Sequence, residues 1–246
     1  MTNRQPYTRK LDLKNGRIDM SHGSGGKAMA QLVDEVFVKA FANPLLEQRN
    51  DQAMFEVAAG RMVVTTDSYV VSPLFFPGGD IGSLAVHGTV NDIAMAGAKP
   101  LYLTAGFIIE EGFSLKDLDR IVTSMAEAAR AAGVAIVTGD TKVVERGKGD
   151  GVFINTTGIG VVPPGVSASG DRARPGDAVL VSGTVGDHGV AIMSTREGLS
   201  FETSILSDSA ALHGLVAAMI AALAKAGRLA RSTLTRPMPD TCPESR

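Results

Sequence analysis

Apolar residues from Met29 to Phe41 recur at helical spacing (Met29, Leu32, Val33, Val36, Phe37, Ala40, Phe41), and Asn43-Pro44 closes the run. Arg61–Thr66 carries the apolar β-type pattern of a strand, and Ile81–Ala98 reads as a helix rich in small residues, broken before Pro100. A second strand is predicted over Leu101–Ile109. Ser114 and Asp117 then form a capping-box-like start to a long helix, with Leu115, Leu118, Ile121, Val122 and Met125 along one face and Gly133 past its end. Val134–Thr138 and Phe153–Val162 read as strands joined by the charged, Gly-rich loop Glu145–Gly151.

Pro163-Pro164-Gly165 marks a boundary. Beyond it, 168–176 is polar and loop-like, and Ala178–Ser182 is a short, buried-type strand. Gly183–Gly189 turns into a helix carrying Ile192 and Met193. Ser209–Ala226 is another helix, striped by Leu212, Leu215, Val216, Met219, Ile220 and Leu223 and ended by Gly227. From Arg228 the periodicity vanishes. The expected organisation is a flexible arm (1–20), a domain over 21–163, a partial second domain over 166–226 and an atypical tail (227–246).

The composition narrows the class. With 246 residues, 44% hydrophobic and 20% charged, the chain has a globular balance. A net charge of −2 without a basic stripe argues against nucleic acid. No apolar run is long enough for a membrane span, and residues 1–20 lack a secretory signal's apolar core. The single cysteine, Cys242, permits no internal disulfide and agrees with a reducing, cytoplasmic setting.

The chemistry concentrates in three places. Asp67 ends the first strand's apolar run, and Asp92 follows Asn91 among Gly88, Ala94, Ala96, Gly97 and Ala98, a helix suited to close approach. Two carboxylates delivered by separate elements suit Mg²⁺, which takes a few carboxylate oxygens with phosphate and water. The competing reading is a turn-capping Asp67 and a solvated Asp92. His22–Lys27 is a Gly-rich turn before a helix, where free N–H groups, the helix dipole and Lys27 favour an anion. It is not a Walker loop, and flexible turns use such residues often. Gly139-Asp140-Thr141-Lys142 puts a carboxylate and an ammonium at the C-terminal end of a buried strand, where ligands bind in α/β proteins. An exposed turn is the alternative. Among the histidines, His87 and His213 read as packed, His188 as a turn residue, and none has metal-ligand spacing.

In order, 22–27 (HGSGGK), 65–82 (TTDSYVVSPLFFPGGDIG), 88–100 (GTVNDIAMAGAKP), 123–133 (TSMAEAARAAG), 137–144 (VTGDTKVV), 155–160 (NTTGIG) and 179–189 (VLVSGTVGDHG) resemble the hydrogenase maturation factor HypE. HypE shares a superfamily with aminoimidazole ribonucleotide synthetase, selenophosphate synthetase and thiamine-monophosphate kinase. The resemblance runs from about Asp19 to Gly227. Selenophosphate synthetases carry Cys or selenocysteine before the Gly-rich segment, and Arg17–Ser21 has neither.

The resemblance implies an α+β fold: a synthetase-type N-terminal domain with a mixed sheet and flanking helices, then an incomplete second α/β domain. It implies homodimers paired through their sheets, and ATP and Mg²⁺ in a cleft roofed by the Gly-rich segment. The implied reaction is ATP-dependent dehydration of a cysteine-linked thiocarboxamide to thiocyanate, the source of cyanide for the iron of [NiFe] hydrogenase. HypF would load the carbamoyl group, and a HypC–HypD complex would receive the cyanide. Carried onto this chain, His22, Gly23, Ser24, Gly25, Gly26 and Lys27 would contact phosphates, Asn91 and Lys142 would position the triphosphate, and Asp67, Asp92 and Asp140 would hold Mg²⁺. No catalytic base is indicated.

Two family features are expected and not found. The second domain's Asp-x-Thr-Arg-Gly-Gly motif gives way to Arg231–Pro237, and the terminal Pro-Arg-x-Cys has no counterpart, because Cys242 is followed by four residues. A reading-frame shift near Gly227 would explain both. It implies an inactive chain with a protease-sensitive region after Val162. The alternative is a natural short form acting as a non-catalytic ATP-binding or dimerising module.

Overall fold

The computed structural model describes residues 10–48, 52–57, 60–170, 173–198 and 205–225. Most of the expected arm (1–9) and the expected tail with Cys242 and Gly227 lie outside the described residues.

The architecture is α+β. Six strands, β1 (Arg61–Tyr69), β2 (Phe75–Phe76), β3 (Gly79–Asp80), β4 (Lys99–Glu110), β5 (Ala135–Val144) and β6 (Val152–Val162), form two sheets. The large sheet is mixed, in the order β1-β6-β4-β5, and β2-β3 is a small ribbon. β1 and β4 run antiparallel to β6, while β4 and β5 are parallel. Parallel neighbours need a crossover, supplied by helix α4 (Leu115–Ala131), with Ser114 capping it by accepting from the Asp117 N–H. The earlier helices are α1 (Lys27–Leu32), continued through a π-helical stretch (Val33–Val38) into α2 (Lys39–Phe41), and α3 (Ile81–Met95). Asp80 caps α3 by accepting from the Gly82 and Ser83 N–H groups.

One face of the large sheet is covered. Leu118, Ile121, Val122 and Met125 of α4 are fully buried against Leu103, Ile109 and Ile154 of the strands. α3 sits close to β6 because Gly158 leaves room. A Cβ there would come within 2.6 Å of Ile93 Cδ1 and 2.7 Å of Thr89 Cγ2. The opposite face is open. Met62, Val64 and Ile108 are exposed on it, Val64 at 65%.

Two strands outrun their expected ends. β1 continues through Tyr69, so Asp67 lies inside a strand. β5 continues through Val144, so Asp140 lies in mid-strand and not in a turn at a strand end. In both cases the neighbouring strand supplies main-chain partners past the apolar run: β6 for β1 and β4 for β5.

After Val162 the described chain forms α5 (Asp187–Glu197) and α6 (His213–Lys225). The strand expected at Ala178–Ser182 is not formed. Val179, Leu180 and Val181 are exposed, with Val179 at 88%. An apolar run becomes a strand only where another strand takes its main-chain hydrogen bonds, and none among the described residues pairs with this one. The last helix starts later than Ser209, because 205–212 forms an extended strap along α3. Its apolar stripe is only partly used. Val216 is buried and Ile220 packs on Ile93, Ala98, Val162 and Val166, whereas Leu215 is exposed. No described helix is long and apolar enough to cross a membrane.

Candidate functional site

Alternation along β1 puts Thr65, Asp67 and Tyr69 on one face, the face that α3 approaches. There the Thr65 hydroxyl donates to Asp92 Oδ2 at 3.3 Å, and the Tyr69 hydroxyl lies 3.0 Å from Asp67 Oδ2. The two aspartates thus share one patch. Behind them Tyr69 Oη is 3.1 Å from Thr89 Oγ1, Thr89 is 2.5 Å from Thr156 Oγ1, and Thr156 donates to the Ala85 carbonyl at 3.2 Å. Sequence reasoning missed Tyr69, Thr65, Thr89 and Thr156. The signal for the first two was the same period-two alternation that marks the strand.

Asp140 lies elsewhere. It faces the open side of β5, where Lys142 Nζ donates to Oδ1 at 2.8 Å and pairs with Oδ2 at 2.7 Å. That ammonium holds the carboxyl below the usual aspartate value, against a smaller opposing effect of burial. Between β5 and β1 stand β4 and β6, three strand spacings or about 14 Å. A single chain therefore joins Asp67 to Asp92 and leaves Asp140 apart, on the opposite edge and face. Among the described residues no three His, Cys, Asp or Glu side chains gather around a common metal position.

The Gly-rich turn belongs to the Asp140 side. Met20–Gly23 is a 3-10 turn in which Asp19 accepts from the Ser21 N–H at 2.8 Å. His22 is buried, and its Nδ1 lies 3.1 Å from both the Asp19 nitrogen and Asp19 Oδ1, which leaves Nε2 as the ring nitrogen not engaged with Asp19. Gly23 lies against β5, where a Cβ would come within 2.7 Å of the Val143 nitrogen. Lys27 opens α1 behind an N-cap, Gly26, whose lack of a side chain leaves the first-turn N–H groups without a side-chain cap. A groove of about 410 Å³ runs over the open face, lined by Ser68, Val70, Ile108, Phe153 and Asn155 with Asp140 and Lys142.

Asn91 is not turned to either group. Its Nδ2 donates to the Ala210 carbonyl at 2.8 Å, and its Oδ1 accepts from the Leu212 N–H at 2.7 Å. Two histidines hold the same strap: His87 Nδ1 lies 3.1 Å from Ser209 Oγ, and His188 Nδ1 2.9 Å from Ser207 Oγ. Burial lowers the pKa of each histidine, opposed by the charge of Asp80 at His87 and of Asp208 at His188.

The donor sets fit the expected ligands in kind. Two carboxylates with an adjacent threonine hydroxyl suit Mg²⁺, which commonly takes one or two carboxylates and completes its shell with phosphate and water. The Gly-rich turn, Lys27 and Lys142 supply N–H groups and cations for phosphates.

Residues 49–162 match the family described as AIR synthase related protein, N-terminal domain. The chain is 71% identical over 214 residues to carbamoyl dehydratase HypE of Azotobacter vinelandii, covering 87% of this chain and 63% of that protein. Its identity to the Escherichia coli K12 carbamoyl dehydratase HypE is 52% over 204 residues, 81% of this chain and 61% of that protein. The chain thus spans somewhat less than two thirds of the curated relatives it matches. Among solved structures, a HypE in complex with ATP superposes with a TM-score of 0.80 at 55% identity, covering 82% of this chain and 60% of that one. A HypE–HypF complex superposes with a TM-score of 0.65 at 58% identity, over 78% and 62% of the respective chains.

Proposed function

This chain belongs to the HypE family of hydrogenase maturation proteins, and from that premise we propose that it binds ATP with Mg²⁺ for the dehydration of a cysteine-linked thiocarboxamide to thiocyanate. An amide oxygen is a poor leaving group. Phosphoryl transfer from ATP to that oxygen lets it depart as phosphate, while the nitrogen loses its two protons and the carbon–nitrogen triple bond forms. Such transfer depends on positioning and charge stabilisation. In this reading Asp67 and Asp92, with Thr65 beside them, would hold Mg²⁺, which when bound would supply positive charge to offset the charge developing on the phosphates. His22 through Nε2, the N–H groups around Gly23–Gly26, and the ammonium groups of Lys27 and Lys142 bind the phosphates. Asn91 acts at one remove, by fixing the strap beside Asp92.

The observation that carries the proposal is the Asp67–Asp92 patch, formed by two separate elements, β1 and α3; the likeness to a HypE in complex with ATP supports the ligand. The position of Asp140 adds a condition. With the Gly-rich turn on one sheet edge and the carboxylate pair on the other, a second copy docked on the open face would let the two groups act together. A homodimer is therefore part of the proposal. HypF as a partner is supported by the relative solved in complex with it, and in this reading it donates the carbamoyl group, a HypC–HypD complex accepts the cyanide and the setting is cytoplasmic.

Calorimetric titration of the chain with ATP, with and without Mg²⁺, tests the core of this. Tight binding only with Mg²⁺ is expected, and Asp67→Asn or Asp92→Asn should weaken it by more than about 10–100-fold, the range that loss of a group merely behind a metal ligand gives. Metal-independent binding unaffected by both variants would reject the assignment. Binding without thiocyanate formation would favour a non-catalytic ATP-binding module.

A further inference from the structure

The hydroxyl chain behind Asp67 is costly for a protein to build. Thr89 and Thr156 are fully buried between α3 and β6, where unpaired hydroxyls are unfavourable and apolar residues would pack as well. It also requires a glycine: a Cβ at Gly88 would collide with the Tyr69 hydroxyl. The chain has two ends. One is the Ala85 carbonyl, part of a helix and fixed. The other is the Asp67 carboxylate, the only end free to turn.

The protons decide the direction. Three hydroxyls carry three protons for four contacts, and both ends accept when Asp67 is ionised. A carboxylate is the strongest acceptor in the series, so Tyr69 donates to Asp67 Oδ2. Thr89 then donates to Tyr69, and Thr156 to Thr89 or to the Ala85 carbonyl. The bond at the near end points toward the carboxylate, and the donation from Thr156 to the Ala85 carbonyl ties the far end to the helix. Among the described residues no side-chain or backbone donor is recorded on Asp67 Oδ1, which leaves that oxygen for a cation.

We propose that Tyr69 is a positioning residue for metal binding: anchored through Thr89 and Thr156, it holds Oδ2 and thereby aims Oδ1 of Asp67 toward the patch shared with Asp92. The proposal rests on the reading of Asp67 and Asp92 as Mg²⁺ ligands.

The test measures Mn²⁺ binding to the full chain in the presence of ATP, by water-proton relaxation, beside ATP affinity without metal and thermal stability. Tyr69→Phe removes one oxygen and keeps the ring. It should weaken Mn²⁺ binding about tenfold, as losses behind a metal ligand do, with metal-free ATP affinity unchanged. Thr89→Val should move Mn²⁺ affinity the same way by less, and it decides the matter if Tyr69→Phe does not fold. Asp67→Asn separates the two levels of the argument. If it abolishes Mn²⁺ binding while Tyr69→Phe and Thr89→Val bind as wild type, Tyr69 only packs and the positioning role is overturned. If Asp67→Asn also binds as wild type, the metal assignment fails and this proposal falls with it.

Discussion

Gly88 shows how one absent side chain can set a site. In an exposed helix interior Gly→Ala gains about 1 kcal/mol. Here the added methyl would meet the Tyr69 hydroxyl, and overpacking typically costs about 1–3 kcal/mol, so the collision outweighs the helix gain. Gly88→Ala should lower stability by up to about 2 kcal/mol in urea denaturation. A more stable variant would show that Tyr69 can step aside at no cost. Much of this scale was legible in the sequence. Asp67 and Asp92 stood out because carboxylates among apolar and small residues are conspicuous, and the structure brings them together. Tyr69 did not stand out, since a tyrosine in a β-type run reads as packing until its hydroxyl partners, on α3 and β6, are known. Lys142 and Asp140 were legible as a pair, but not the edge and face on which they would lie.

At the scale of elements, the strap 205–212 is tied to the N-terminal domain by two side chains, His87 and Asn91, and by the Ser207 N–H donating to the Pro77 carbonyl at 2.8 Å, while His188 ties it to α5. Burial lowers both histidine pKa values, so the docked strap favours neutral rings. The undocked state binds more protons below the ordinary histidine value of 6.5, so docking is strongest above that value and weakens as pH falls through it. Limited proteolysis should thus cut 173–198 faster at about pH 5.5 than at about pH 7.5, with the change centred below the ordinary histidine value. Equal rates, after correction for the protease's own pH profile, would mean that the histidines do not govern docking. Nothing in the residue pattern pointed to the strap. The run from Ser209 fits a helix, and His87 at Ser209 together with Asn91, which donates to the Ala210 carbonyl and accepts from the Leu212 N–H, holds its first residues out of it. The same limit explains Ala178–Ser182: periodicity reports an apolar face but not whether a neighbour exists to pair with it.

For the whole molecule, the open sheet face is the feature that most shapes behaviour. Met62, Val64 and Ile108 lie exposed on it beside the groove that holds Asp140 and Lys142. If two copies pair there, Val64→Lys should leave folding stability within about 0.5 kcal/mol, as exposed substitutions do, while burying a charge in the pair weakens dimers at least about tenfold. Sedimentation velocity over a concentration series reads this directly, and unchanged self-association would place any dimer contact elsewhere. Mixed sheet and flanking helices were implied by the family resemblance; the strand order was not legible, because β1 lies next to β6, the last strand among the described residues. That neighbour relation bears on how the chain is synthesised. Arg61 pairs with Val162, about a hundred residues later, and translation at about 5–20 residues per second leaves β1 waiting roughly 5–20 s for its only partner in the sheet. Through that interval Met62, Val63 and Val64 are an unpaired apolar strand on a nascent chain, and the sheet closes only once the ribosome has released β6.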